Sequence, residues 1–584
     1  LTRSGSATSC PGGTTTTDTT EPDRSPRPSA SSTLVLLAAL TLGLIAGGSE
    51  IANTSIGWHL ASGAWILEHG AVPAADPFSF TAEGSEWIDH EWLFQLVLAL
   101  VSRIGGPPLL VAFRAVLVAL LAGLLLRIGV RSGLHPAAAL GLAALCLYGA
   151  RIRFFIRPEL ATLLIVPSVV WIFLHRESFR SRRWLLGVAA MMVAGANLHA
   201  GVLVAPPLLA GLLAAEWLRS RISSSDRRPS LASGLYGLAV AAAAPICNPY
   251  GWHLYGVPLD IARLVGLPHI PNPEWISPSP ADVPALYVAL GLAIILLAAR
   301  ERDPTRWVLL VMASALALRY VRNVGLFFAL LPIAVAPALA RLELAARPPR
   351  PRRAIAGALV VALLIASSIV LGPRYRPSFD FSDWLYPHRA WAFMEQQGLD
   401  EAVAYNDVRF GGFLIHSGFP PRQVFLDDRN EIHEPLLGEI YGLFQRSDQA
   451  GWRRMLDRYG VTVALLRYNQ SFEVVSPQGQ SLGRRGFSAL WFPASSWALV
   501  FWDDTAMVLI RRDAASPELL ARHEYFALRP DDLDHLRERL RDEPEIRGQV
   551  ATELARALAD QPDNERALSL SEYLLELQGG AAGR

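Results

Sequence analysis

Lysine is absent from this sequence: all 53 basic residues among its 584 are arginine. A high-GC coding bias acts on a whole chain alike and accounts for that, so the absence names no partner. Cysteine is nearly as scarce. Cys10, Cys146 and Cys247 are too few and too scattered for a disulfide framework or a zinc site. No Gly-rich phosphate loop follows a strand-like run in the apolar half, which argues against a nucleotide-sugar site. The formal net charge of +1 points to no partner, and nothing suggests nucleic acid. One stretch lacks positive charge altogether. From Glu50 to Glu91 there are seven acidic residues and no basic one.

Apolar residues, by contrast, abound. They make up 52% of the chain, in runs recurring through the first 372 residues, as in a polytopic membrane protein followed by a soluble region. Residues 1–32, rich in Ser, Thr and Pro, read as a disordered tail. The run from 33 has no small-residue cleavage pattern soon after it and reads as a retained span. Twelve apolar segments follow one another between 33 and 372. The Arg-rich connectors 127–133, 175–183, 219–228, 300–306 and 341–353 fall on one, cytoplasmic, side only if segment 90–104 does not cross. That segment is short of the roughly 20 residues a span needs, so it reads as a helix dipping into the outer leaflet. About eleven spans are expected, with the N-terminus cytoplasmic and everything after 372 outside.

This topology gathers the 50–105 loop with RIRFFIRPE (151–159), NLHAG (197–201), NPYGWHLYG (248–256) and RYVRN (319–323) on the outer face. Arg151, Arg153, Arg157, Arg319 and Arg322 stand there against the charge rule, as arginines with a partner or snorkelling to lipid phosphate would. The stretch WHLASGAWILEHG reads as an amphipathic helix with tryptophans at headgroup depth. Pro73 and Pro77 then force an extended path, and Asp89, His90 and Glu91 open the dipping helix. His59, His90, His199 and His253 share the outer side with these carboxylates. A divalent cation is conceivable there, although no HExxH or comparable spacing is present, and local hydrogen bonding is the alternative. Asn197 and His199 could line a site or satisfy a tight turn. Arg114 is a candidate intramembrane charge.

The pattern WHLxxGxWILEHGxVPxxDPFSFTxxGxxWxxHEWL (58–93) resembles the first outer loop of a large family of bacterial membrane proteins of the GT-C glycosyltransferase type. The motifs at Arg157–Glu159, Asn197–Gly201, Asn248–Gly251 and Glu274–Trp275, and the stretch 405–429, recur in the same order, so the resemblance covers roughly 33–470. It implies transfer of a sugar from a polyprenyl-phosphate carrier at the outer face of a bacterial cytoplasmic (inner) membrane, to a glycan, lipid or protein acceptor. Such chemistry needs a carboxylate to take a hydroxyl proton and cations for the phosphate leaving group. Glu50, Asp76, Asp89 and Glu91 are the candidate bases. His59, His90, Arg151, Arg153, Arg157, Asn197, His199, Arg319 and Arg322 are the candidate substrate-binding residues. Relatives commonly carry an Asp pair where this chain has Asn53 and Ser55, neither of which can act as a base. Asp89 and Glu91 therefore rank ahead, because they flank a histidine at the membrane surface. An inactive scaffold that binds a glycan or lipid carrier is the alternative, and a transporter is a third reading.

Beyond the 33–372 membrane part, strand-like runs (VAYN, QVFLD, VTVALLRY, WALVFW, AMVLIRR) alternate with helical ones over 373–515, giving a small extracytoplasmic α/β domain. Asp427, Asp428 and Arg429 are expected at a strand's end, in a ligand site or a structural salt bridge. Residues 516–584 read as a tetratricopeptide-like helical tail, packed on the α/β domain or available to a protein partner.

Overall fold

The structure, a computed structural model, describes residues 30–579 apart from 180, 223–229, 271, 346–350, 373–374, 469–470 and 476–480. The disordered-tail expectation thus falls almost wholly outside the described residues, as do parts of the connectors 175–183, 219–228 and 341–353. Apolar helices dominate up to Val370, and their outward side chains are exposed hydrocarbon: Leu186 at 70%, Ile295 at 68% and Leu363 at 67%. Such a surface suits lipid rather than water. Inside, Leu121, Leu140, Val166, Leu209 and Phe327 close a continuous core.

The expected number of about eleven spans is not met by helix length. Three described helices are long and apolar enough to cross a membrane, namely Trp92–Arg131, Ala200–Arg221 and Val321–Leu342. A fourth results only if Leu231–Ile246 and Gly251–Leu264, bent by 111°, are counted together. The other apolar helices run to 10–17 residues, including Glu159–Leu174, Trp184–Leu198 and Pro284–Arg300. Short 3₁₀ turns such as Arg151–Arg153 and Ala244–Ile246 interrupt the apolar runs, leaving several helices below about 20 residues. Segment 90–104 does stop as a separate helix. Gly105 and Gly106 leave helical geometry, and Gly106 takes a φ of 59° ahead of Pro107 and Pro108.

The 50–91 loop is not a surface appendage. Helix Ile56–His69 is buried on most sides, with Trp58 8%, His59 2% and Ser62 0% exposed, so it is not the interfacial amphipathic helix its spacing predicts. It is wedged between Trp92–Arg131 and helix Val408–Gly418, and glycines set both crossings. A Cβ on Gly57 would stand 1.9 Å from the Gly412 carbonyl oxygen, and one on Gly63 would stand 2.1 Å from that of Gln95. A second core forms around this wedge, joining Trp58, Phe78, Trp87 and Phe94 to Phe410, Ile415, Val463 and Val508. The loop thus shares a core with the C-terminal part.

The C-terminal part is built on a mixed four-stranded sheet. Strands β1 (Ala404–Asn406), β2 (Val463–Arg467), β5 (Trp497–Trp502) and β6 (Ala506–Arg511) lie in the order β1-β2-β6-β5, and only β1 and β2 are parallel. Strands β3 (Phe472–Val475) and β4 (Ser481–Arg485) form a separate hairpin. The sheet strands read as continuous apolar runs because both faces are covered. QVFLD, expected as a strand, stays outside the sheet. Its Val424 instead bridges Ser79 of the loop. The tail helices Leu533–Asp542, Arg547–Asp560 and Glu565–Gly579 each begin after a proline, Pro530, Pro544 and Pro562. Val550, Leu554 and Leu570 enter the same core as Trp452 and Trp502, so the tail packs on the α/β unit.

Candidate active site

The polar ends of several elements meet where the loop wedge touches the C-terminal unit. Glu91 lies at their centre, just ahead of the helix that begins at Trp92. Its carboxyl oxygens are 3.7 Å from His59 Nδ1, 3.6 Å from His90 Nε2 and 3.6 Å from His199 Nε2. These are contacts, too long for hydrogen bonds. Burial pushes the carboxyl up to about 8, with Arg322 opposing and Glu431 reinforcing the effect. The helix N-terminus favours an anion there, but loss of water outweighs it. Burial lowers all three imidazoles, holding them neutral. Among the described residues, no group of three or more His, Cys, Asp or Glu is set to hold a metal ion.

Asp89 is sealed differently. It is 2% exposed, accepts from Gln95 Nε2 at 2.6 Å, and is pushed up to about 8 by burial and the adjacent Glu91 charge. Its backbone N–H donates to the Tyr250 hydroxyl at 2.9 Å, so the NPYG motif buttresses this turn. Asn197, in the last turn of helix Trp184–Leu198, likewise holds local structure: it accepts from Trp92 Nε1 and donates to the carbonyls of Val193 and Cys247. His199 Nδ1 pairs with Thr162 Oγ1 at 2.7 Å, which turns Nε2 toward Glu91.

A cationic wall stands beside this group. Arg153 bridges Glu159 and Glu274, and Arg157 Nη1 reaches Glu274 Oε1 at 2.5 Å. Burial works against Glu274 ionising, but Arg157 and Arg153 outweigh it and hold it well below the usual carboxylate range. Arg157 also donates from Nε to Ser55 Oγ at 3.1 Å, and Arg322 stacks over Trp275 at 4.2 Å. Arg151 folds back on Tyr148, and Arg319 on Tyr320.

The C-terminal unit supplies the remaining acids. Asp428 accepts from Thr54 Oγ1 at 2.6 Å and Trp58 Nε1 at 2.7 Å, and burial raises its pKa. Burial also raises Glu431, which His90 opposes. The neighbouring Asp427 and Arg429 are engaged with each other and with the loop. Arg429 binds Asp427 and, at 2.7 Å, Asp76, and all three side chains are fully buried. Asp76 therefore sits in a structural ion network, not in the Glu91 group. Glu50 lies apart too, taking a bond from Trp384 Nε1 at 2.7 Å. Arg114 caps the end of helix Ala30–Gly47, donating to the carbonyls of Gly47, Ser49 and Glu50. Sequence reasoning passed over Glu431 and the role of Glu274 as a partner. Both become visible only through contacts more than 100 residues apart in sequence.

No family model matches the sequence, and no curated protein matches it. Solved structures do. The apo form of the Archaeoglobus fulgidus oligosaccharyltransferase aligns with a TM-score of 0.51 and 12% identity, over 78% of this chain and 74% of that one. The same protein tethered to an acceptor peptide containing the NVT sequon gives 0.51 and 13% over the same shares. AglB from that organism, in complex with an inhibitory peptide and a dolichol-phosphate, gives 0.50 and 12%, again over 78% and 74%. The fold is similar to that of an archaeal oligosaccharyltransferase. At such low identity the likeness concerns the fold alone.

Proposed function

We propose that the protein is a membrane glycosyltransferase moving a sugar from a polyprenyl-phosphate carrier to an acceptor hydroxyl at the outer face of a bacterial cytoplasmic membrane. The observation that carries this reading is Glu91: a carboxyl with a raised pKa, ringed by neutral imidazoles and bordered by Arg157 and Arg322. In the reaction the acceptor oxygen bonds to the anomeric carbon as the bond to the carrier phosphate breaks. The phosphate leaves with the electron pair, and Glu91 takes the hydroxyl proton. A base with a pKa near the working pH is the effective kind.

Arg157 and Arg322 stabilise the phosphate, and Glu274 holds the guanidinium of Arg157 in place. Asp428, partly open to the site, orients the acceptor. Asp89 is a positioning residue that fixes the turn before Glu91. Sealed and hydrogen-bonded, it ranks behind Glu91 as a base. Glu50 and Asp76 take no part.

The test is loss of label from a panel of radiolabelled polyprenyl-phosphate sugars, using protein in liposomes with crude membrane acceptors. Turnover that disappears in Glu91→Gln supports the reading. Saturable donor binding without turnover would instead favour a lipid-carrier-binding protein, and the Asn53 and Ser55 positions, hydrogen-bonded to each other at 3.2 Å, would account for the loss.

A further inference from the structure

A concavity lies on the C-terminal unit, apart from the Glu91 group. It encloses about 470 Å³ between helix His388–Gln396, the start of β1 and the Pro421–Val424 segment. That volume suits a small ligand or one or two units of a polymer. Its walls combine two chemistries. Phe80, Trp391 and Tyr459 present aromatic surface, while Asp400, Glu401 and Arg422 present planar polar groups. Arg422 is held between the Asp400 carboxylate and the Trp391 face, 5.7 Å from the ring centroid.

The balance of these groups narrows the ligand. Two acids against one arginine leave the cleft net negative, which disfavours a phosphate or other anion. An extended peptide would have to pair with β1, the edge strand. The Asn406 side chain, however, binds the Phe425 N–H at 2.9 Å and the Leu426 carbonyl at 2.8 Å, laying the 424–426 segment along that strand's end. A purely apolar ligand would cover the Glu401 carboxylate without giving it a partner. A neutral polyhydroxyl ring satisfies both walls. Its C–H face packs on aromatic rings, and its hydroxyls donate to carboxylates and accept from guanidinium.

We infer that this cleft is a binding subsite for a neutral saccharide. The segment that lines it continues directly to Asp428. From Arg422 to Asp428 the chain spans at most about 20 Å when extended. A saccharide chain held in the cleft can therefore reach toward the Glu91 group. Its role as the acceptor end of the reaction rests on the transferase reading, whereas the binding itself does not.

The experiment uses the full-length protein in detergent, titrated calorimetrically with maltotriose, cellotriose, chitotriose and mannotriose. The expected result is binding of at least one trisaccharide in the millimolar range or tighter, undiminished in Glu91→Gln. Trp391→Ala should weaken it about tenfold or more, and Glu401→Ala, a change at an exposed side chain, several-fold. Should Trp391→Ala fail to fold, Glu401→Ala decides. No binding of any of the four, or binding unmoved by substitutions in a folded variant, overturns the subsite even if donor turnover is found. Binding that responds to both substitutions with no turnover for any donor keeps the subsite and removes the transferase reading.

Discussion

Replacing Glu91 with glutamine keeps the shape of the side chain and removes its capacity to take a proton. No protein donor among the described residues lies within hydrogen-bond distance of the carboxyl, and the imidazoles around it stand 3.6–3.7 Å away. Glutamine should therefore be accommodated without a packing penalty. General-base contributions run to about 10²–10⁴ in rate, or about 3–5 kcal/mol of barrier. Glu91→Gln is accordingly expected to lose at least a hundredfold in kcat while its donor affinity stays within a few-fold. The pH profile gives a second, independent magnitude. With the carboxyl at about 8, only about a tenth is ionised at pH 7 and about a hundredth at pH 6. Wild-type kcat should thus climb close to tenfold per unit from pH 6 and level off near 8. Stability moves the other way. The folded value lies above the ordinary 4.5, so the stabilising contribution is whole below about 4.5 and is lost as pH rises toward 8. Glu91→Gln escapes that loss and should gain on wild type between pH 5 and pH 9 in detergent melts. A flat kcat between pH 6 and 8, or a glutamine variant of full activity, would refute the assignment of Glu91 as base.

Arg429→Met leaves Asp76 and Asp427 buried without their cation, and should cost about 3–5 kcal/mol in thermal unfolding; a loss below about 1 kcal/mol would mean the network is dispensable. Gly57→Ala puts a Cβ against the Gly412 carbonyl and should destabilise the protein by at least about 1–3 kcal/mol, whereas Gly141→Ala, with open space around it, should not. Equal melts of the two would show that the glycine crossing is not tight. Arg157→Lys loses the fork that reaches both Ser55 and Glu274, and its donor phosphate affinity should fall about tenfold in equilibrium binding; unchanged affinity would make Arg157 structural. A cysteine at the exposed Asp380, with Cys10 and Cys247 replaced, should react with an impermeant reagent from outside the cell only. Labelling from the cytoplasm alone would reverse the orientation.

Much of this was readable from local rules. The apolar runs, the four sheet strands and the proline-separated tail helices all follow from patterns spanning a few residues, where periodicity and turn chemistry act. Crossing number was not, because charge and hydropathy locate apolar segments without measuring how 3₁₀ turns and bends shorten them. The helix at 56–69 shows a second limit. Its spacing reads as amphipathic, but its polar residues His59 and Ser62 are buried against other protein, which no one-dimensional pattern distinguishes from facing water. At the site, Glu91, His59, His90 and His199 were candidates by residue type and position. Asp76 was a candidate on the same grounds, and a single contact with Arg429 reassigns it.

That contact also explains why the loop carries acids and no basic residue. With an arginine of its own, the 50–91 stretch would pair its carboxylates locally and fold on itself. Lacking one, it finds its counterparts elsewhere. Asp76 takes Arg429 of the C-terminal unit, Glu50 takes the Trp384 indole, and Glu91 faces Arg322 and Arg157 from two other turns. Glu68, Glu83 and Glu86 stay exposed to solvent. Glu50, Asp76 and Glu91 thus tie the loop to different parts of the chain, while Asp89 is held locally by Gln95, and the C-terminal unit answers with Asp428 on Thr54 and Trp58. Burying mutually dependent charges is costly unless every partner arrives, which couples formation of the site to docking of the C-terminal unit. A site assembled this way exists only in the complete fold, with its raised carboxyl formed at the seam where the two halves close.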